Sequence, residues 1–190
     1  MHSAFQYNTY LLKKQVFALT GKLRFYAPDG QMVLFSEQKM FRLREDIRIF
    51  SDENKSQELL WIQARNILDF SAAYDVIDSL EQRKVGVLRR KGFSSMLRDQ
   101  WEVLDPNESL VGILQEDQVG LALLRRFLLG SLLPQNYDLL VGEARAVDLR
   151  QRFNLFRYEM DIEFSGPVFD RRLGLAAAAL LAIIEGKQSN

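Results

Sequence analysis

Residues 173–184 read Leu-Gly-Leu-Ala-Ala-Ala-Ala-Leu-Leu-Ala-Ile-Ile, twelve apolar positions in a row with no polar face. Arg171 and Arg172 precede them and Glu185 follows, so the run does not extend in either direction. As a helix it would span roughly 18 Å, well short of the ~30 Å hydrocarbon core of a bilayer. A helix that is apolar all round and too short to cross a membrane must be surrounded by protein on every side. Its boundaries agree with a helix: Asp170 is placed as the N-cap and Gly186 lies just past the end. Gly174 and the four alanines at 176–179 are small enough for neighbouring backbone to approach closely.

The chain around this helix reads as antiparallel hairpins. Leu23 to Tyr26 runs to Asp29-Gly30, and Met32 to Phe35 returns; Asp-Gly between apolar runs is a strong turn signal. Ile47 to Phe50 leads through a polar stretch to Leu59, Leu60, Trp61 and Ile62. The next two units resemble copies of each other. Tyr74-Asp75-Val76-Ile77-Asp78 is followed by Val85-Gly86-Val87-Leu88, and Trp101-Glu102-Val103-Leu104-Asp105 by Val111-Gly112-Ile113-Leu114. Each has an aromatic start, an acid closing the first strand and a glycine inside the second, which suggests a sheet built by iteration. Later, Tyr158, Met160, Ile162 and Phe164 alternate with Glu159, Asp161 and Glu163, one face apolar and one acidic. One further helix is predicted over residues 119–132, ended by Pro134. About a dozen strands are too many for a flat open sheet. The expected fold is mainly β: a closed antiparallel barrel of about twelve strands around the central hydrophobic C-terminal helix.

Composition narrows the function. The 190 residues carry 25 Lys+Arg against 25 Asp+Glu, one His and no Cys. Length and the absence of a linker point to a single domain over 1–190, with a short frayed tail from 187. Zero net charge excludes a generally basic nucleic-acid binder. Without Cys there is no disulfide framework, thiolate zinc site or cysteine nucleophile. With His2 alone, on what reads as a loose terminus, a Ser-His-Asp triad and a multi-His metal site are excluded as well. The first ten residues lack a secretory signal pattern, so the expected location is cytoplasmic. No cofactor motif and no metal site is predicted. A loop at Asp105-Pro106-Asn107-Glu108-Ser109 imitates the acid spacing of a calcium loop, but Leu110 stands where the sharp turn needs Gly, so a hairpin turn is expected there. Ser94 and Ser95 near Lys91 lack any nucleophile elbow.

Several features taken in order resemble a known group: Tyr74-Asp75-Val76, Gly86, Arg90-Lys91, Ser94-Ser95, Trp101-Glu102-Val103, and Phe169-Asp170-Arg171-Arg172-Leu173 leading into an apolar helix. The chain resembles the tubby-like superfamily, which includes tubby C-terminal domains, phospholipid scramblases and LURP-one-related proteins. Within it, the chain is most similar to LURP-one-related and bacterial scramblase-like proteins, over roughly residues 12–185. The resemblance implies a helix-filled barrel and a non-enzymatic role at phospholipid. It does not extend to the Cys-rich lipidation of scramblases or to their acidic pair before the last helix, where this chain has one acid and two arginines.

The candidate site is the basic run Arg89-Arg90-Lys91, with Arg83, Lys84 and Arg98 nearby in sequence. Clustered at a hairpin end, these side chains suit a phosphorylated headgroup, Arg by bidentate donation and Lys as a point charge. The expected function is a non-enzymatic module binding anionic phospholipid or phosphoinositide headgroups, peripheral at the membrane and without a transmembrane span. The alternative is a protein-interaction or structural domain in which the basic run is a solvated hairpin end, paired with Asp75 or Asp99.

Overall fold

The computed structural model describes residues 1–15, 20–39, 46–65, 73–91, 100–117, 134–152, 154, 157–166 and 168–184. Twelve strands follow one another along the chain. They are β1 (Thr9–Gln15), β2 (Thr20–Tyr26), β3 (Met32–Lys39), β4 (Asp46–Phe50), β5 (Glu58–Ala64) and β6 (Ala73–Asp78), then β7 (Arg83–Arg90), β8 (Gln100–Leu104), β9 (Leu110–Glu116), β10 (Asn136–Val141), β11 (Ala144–Arg152) and β12 (Arg157–Phe164). Each pairs antiparallel with its neighbours in sequence, and β12 pairs with β1 to close the barrel. The expected helix forms as α1 (Arg171–Ile184).

Helix α1 is buried at every position from Arg172 to Ile184. It joins one core cluster with the inward side chains of the strands, among them Leu12, Phe25, Ile62, Val76, Leu149 and Ile162. This is the arrangement its all-round apolar sequence demands, since no face tolerates water. Strand alternation follows: Tyr158, Met160 and Ile162 are buried while Arg157 and Glu163 are exposed. The hairpins Asp29-Gly30, 51–57, 79–82, 105–109 and 142–143 all lie at the end of the barrel where α1 begins. Gly30 and Gly142 have φ of 83° and 61°, the left-handed conformation such tight turns require. Register shifts occur at Phe25/Tyr26, Ile49/Phe50, Val76/Ile77, Val103/Leu104 and Leu139/Leu140, near these same turns. Bulges strengthen local twist, which helps a sheet close on itself.

The N-terminus is not loose. Ser3–Phe5 forms a 3-10 turn with Ala4 and Phe5 buried, and His2 caps it by accepting from the Ala4 N–H at 3.2 Å. Tyr10 donates its hydroxyl to the Ala4 carbonyl at 2.9 Å, and burial pushes its pKa up to about 12. Aromatic residues in an otherwise polar segment were the available signal: Phe5, Tyr7 and Tyr10 pack onto the core. The helix predicted over 119–132 and the tail from 187 lie outside the described residues. So do the Glu185 and Gly186 end signals.

Candidate functional site

The repeated acids that close β6 and β8 take different roles. Asp105 accepts from the Asn107 and Ser109 N–H groups at 2.8 and 2.9 Å, so the calcium-like loop is a hairpin turn held by its own backbone. Among the described residues no cluster of three or more Asp, Glu, His or Cys is placed to hold a metal ion. Asp78 instead points inward. Its carboxylate accepts from the Leu80 and Glu81 N–H groups and from Arg172 at 2.6 Å. Asp170 caps α1 by accepting from the Arg172 N–H at 3.0 Å and holds the same guanidinium at 2.6 Å. The Arg172 side chain is 7% exposed and that of Asp78 3%, so a cation at the positive end of a helix is balanced by two carboxylates in a closed space. At the other end of α1, Lys14 donates Nζ to the Ala182 carbonyl at 2.7 Å, meeting the helix's unpaired C-terminal oxygens with a positive charge.

Strand β7 carries the basic run away from the α1 start, at the end opposite Arg83. Arg89 stands directly across from Glu102 on β8, and Arg90 across from Trp101. Because strand side chains alternate, this register splits the run. Arg89 turns outward, with Nε and Nη2 donating to Glu102 at 2.9 and 2.6 Å, and Lys91 reaches the other Glu102 oxygen at 3.3 Å. These two side chains remain 43% and 42% exposed. Arg90 shares the face of the buried Trp101, with its guanidinium 5.9 Å from the ring centroid. The structure thus brings Arg89 and Lys91 together over Glu102 and places Arg90 on the other face. Arg98, Ser94 and Ser95 lie outside the described residues.

Hydrogen bonding from Arg89 holds the Glu102 carboxyl below its usual range against the opposing effect of burial, and Lys91 adds to the lowering. Of the two acids expected to pair with the run, Asp99 lies outside the described residues. Asp75 is instead engaged by Arg65 at 2.8 Å and by Lys84 at 3.3 Å. Glu108 joins that pair of cations, and its pKa falls to about 2. On the acidic face of β12, Asp161 takes both Nε and Nη2 of Arg152 at 2.7 Å and Glu159 stands opposite Lys13, while Glu163 stands opposite Thr9 and Asp148. The partner that Arg89 and Lys91 share among the described residues, Glu102, was in the sequence as the residue after Trp101. Only the β7–β8 register selects it.

A family model described as LURP-one-related matches residues 32–182. The chain belongs to the LURP-one-related family. The match runs from the first residue of β3 almost to the end of α1, so it covers ten strands and the helix. Strands β1 and β2, which close this LURP-one-related barrel, lie ahead of it. The closed barrel agrees with the wider tubby-like relation. A comparison with curated proteins finds no match. In this LURP-one-related chain no helix among the described residues is long and apolar enough to cross a membrane.

Proposed function

We propose that this protein is a non-enzymatic, single-domain binding module that holds anionic phospholipid headgroups at the cytoplasmic surface of a membrane. Its contact is the end of β7: Arg89 and Lys91, with Arg98 next in sequence and Arg90 behind them on Trp101. One observation carries the reading: two half-exposed cations converge on a single carboxylate. Glu102 engages Nε and Nη2 of Arg89, so the pair keeps one net positive charge and donors turned to solvent. A phosphate would accept from those donors without displacing Glu102. At an anionic surface each basic residue contributes about 1 kcal/mol, so removing the charges of both Arg89 and Lys91 lowers partitioning roughly 30-fold.

Co-sedimentation with vesicles tests this. Binding to phosphatidylserine or phosphoinositide vesicles, its absence on phosphatidylcholine, and its weakening at physiological salt are the expected results. The Arg89→Gln, Lys91→Gln double variant should lose at least tenfold in partitioning with an unchanged melting temperature. Binding that ignores both salt and this variant refutes the assignment.

A further inference from the structure

A cleft of about 680 Å³ opens at the other end of β7, where the turns β6–β7, β8–β9 and β10–β11 surround the start of α1. Its apolar lining includes Val85, Leu110, Val111, Val141, Phe169 and Leu173. Two of its lining residues project into solvent: Leu110 is 56% exposed and Val168 fully so. Nearby, Leu80 on the β6–β7 turn and Met1 are 44% and 61% exposed. These four are the exposed large hydrophobics among the described residues, and all lie at this one end of the barrel.

The electrostatics of the mouth choose its occupant. Three cations line the cleft, and each is already held by carboxylates: Arg83 by Glu81, Lys84 by Asp75 and Glu108, Arg172 by Asp78 and Asp170. The N–H groups of Arg172, Leu173 and Gly174 are spent on Asp170, so these three are not turned to an anion in the cleft. Asp105 in the lining and the exposed Glu143 beside Gly142 carry no ion pair among the described residues. Asp105 Oδ1 accepts from the Asn107 and Ser109 N–H groups, which leaves its charge without a counter-ion, so the unpaired charge at the mouth is negative. An anionic bilayer and an anionic amphiphile are both disfavoured there. The apolar surface also extends past the cleft onto protruding turns, which suits a chain segment rather than a small molecule enclosed in a pocket. The strands close into a barrel and the cleft is walled by side chains, so recognition there comes through side chains entering the cleft.

We infer that this cleft docks a segment of a partner protein that carries apolar side chains flanked by lysine or arginine. The apolar groups would fill the space between Leu110, Val141 and Phe169, and the basic groups would meet Asp105 and Glu143. The inference is independent of the lipid site, which lies at the opposite end of the same strand.

The test uses the full chain and three probes followed by amide chemical shifts: a blocked Lys-Leu-Phe-Lys tetrapeptide, its Glu-Leu-Phe-Glu counterpart, and dodecanoate. The expected result is saturable shifts at Leu110, Val111, Gly142 and Val168 with the cationic peptide. Its Kd should be about tenfold below that of the acidic peptide, and the difference should shrink with salt. Leu110→Ser and Val168→Ser alter exposed side chains, so they should weaken this binding while leaving the fold and the vesicle binding intact. Equal or tighter binding of the acidic peptide or of dodecanoate overturns the inference. So does an absence of saturable shifts at the cleft with the cationic peptide, or concentration-dependent self-association through Leu110 and Val168.

Discussion

Replacing Asp78 by alanine should be among the most damaging single changes available outside the apolar core. The carboxylate is 3% exposed and holds three donors, namely the N–H groups of Leu80 and Glu81 and the guanidinium of Arg172. The charged hydrogen bond is worth about 1.5–3 kcal/mol, and each stranded N–H costs about 1 kcal/mol. The expected loss is about 3–5 kcal/mol, the range for breaking a buried ion pair by removing one partner. Against a typical domain stability of about 5–15 kcal/mol this is a large fraction. Urea unfolding of Asp78→Ala, Arg172→Met and the double variant forms a cycle, with an expected coupling of at least ~1.5 kcal/mol. Burial alone would raise the Asp78 pKa, but the Glu81 N–H, Arg172 and the Leu80 N–H outweigh it and hold it below the ordinary carboxylate value. A carboxyl lowered in the folded state stabilises above its unfolded pKa, and that stability drains away as pH falls toward the folded value. Asp78→Asn should therefore flatten part of the acid limb of the stability profile. If Asp78→Ala costs under about 1 kcal/mol, or the double variant is additive within about 0.5 kcal/mol, the buried triad is not what anchors the helix start.

Four further outcomes follow from the same geometry. Gly86→Ala would set a methyl group onto the Leu104 carbonyl oxygen and against Leu173, backbone and core that cannot both yield, so chemical denaturation should show a loss of about 3 kcal/mol. Gly174→Ala meets side chains rather than backbone, the Phe164 ring at 2.6 Å and Val147 Cγ2 at 3.3 Å, and helix propensity returns about 1 kcal/mol, so the same assay should show a distinctly smaller loss than Gly86→Ala. Lys14→Met removes the charge that meets the Ala182 carbonyl and should lower stability by about 1.5–3 kcal/mol; an unchanged urea midpoint would show that the helix end does not need it. In an NMR titration Asp138, raised by burial and then by the neighbouring Asp117, should lose its proton at higher pH than Asp117, which Arg150 holds low; Asp117→Asn should bring the Asp138 midpoint down.

The helix and most strands were legible because their signals are local. Twelve apolar residues without a polar stripe admit one environment, and the two glycine-containing repeats mark β7 and β9. Closure also followed from the sequence, since a helix wet on no side needs walls all round. Partners across strands were not legible. Arg89, Arg90 and Lys91 are consecutive letters, but alternation sends Arg90 to the opposite face, and the bulge at Val76/Ile77 shifts which acid each β7 cation meets. A one-residue shift in pairing moves a side chain from one face to the other, and composition carries no trace of it. The burial of the N-terminal turn was missed for a related reason: Phe5 and Tyr10 have no periodic pattern, and only the open end of a barrel gives them a place.

A filled lumen also decides where recognition takes place. In an empty barrel the axis is the natural binding site, but here α1 occupies it with thirteen buried residues. The outer wall is largely occupied with itself: Arg48 lies among Asp46, Glu58 and the Trp61 ring, and Arg150 among Asp117, Asp138 and Asp148. Exposed pairs of this kind satisfy one another and leave little field for a ligand. Among the described residues, a surplus of positive charge over Glu102 lies at one end of β7, and exposed apolar side chains beside Asp105 and Glu143 lie at the other. Opposite chemistry at opposite ends of a rigid strand suits a module that faces an anionic surface with one end and a cationic, apolar partner with the other. Because the two contacts share no side chain, substitutions at one should leave the other unchanged, and a protein that loses both binding activities through Leu110→Ser alone would break this division.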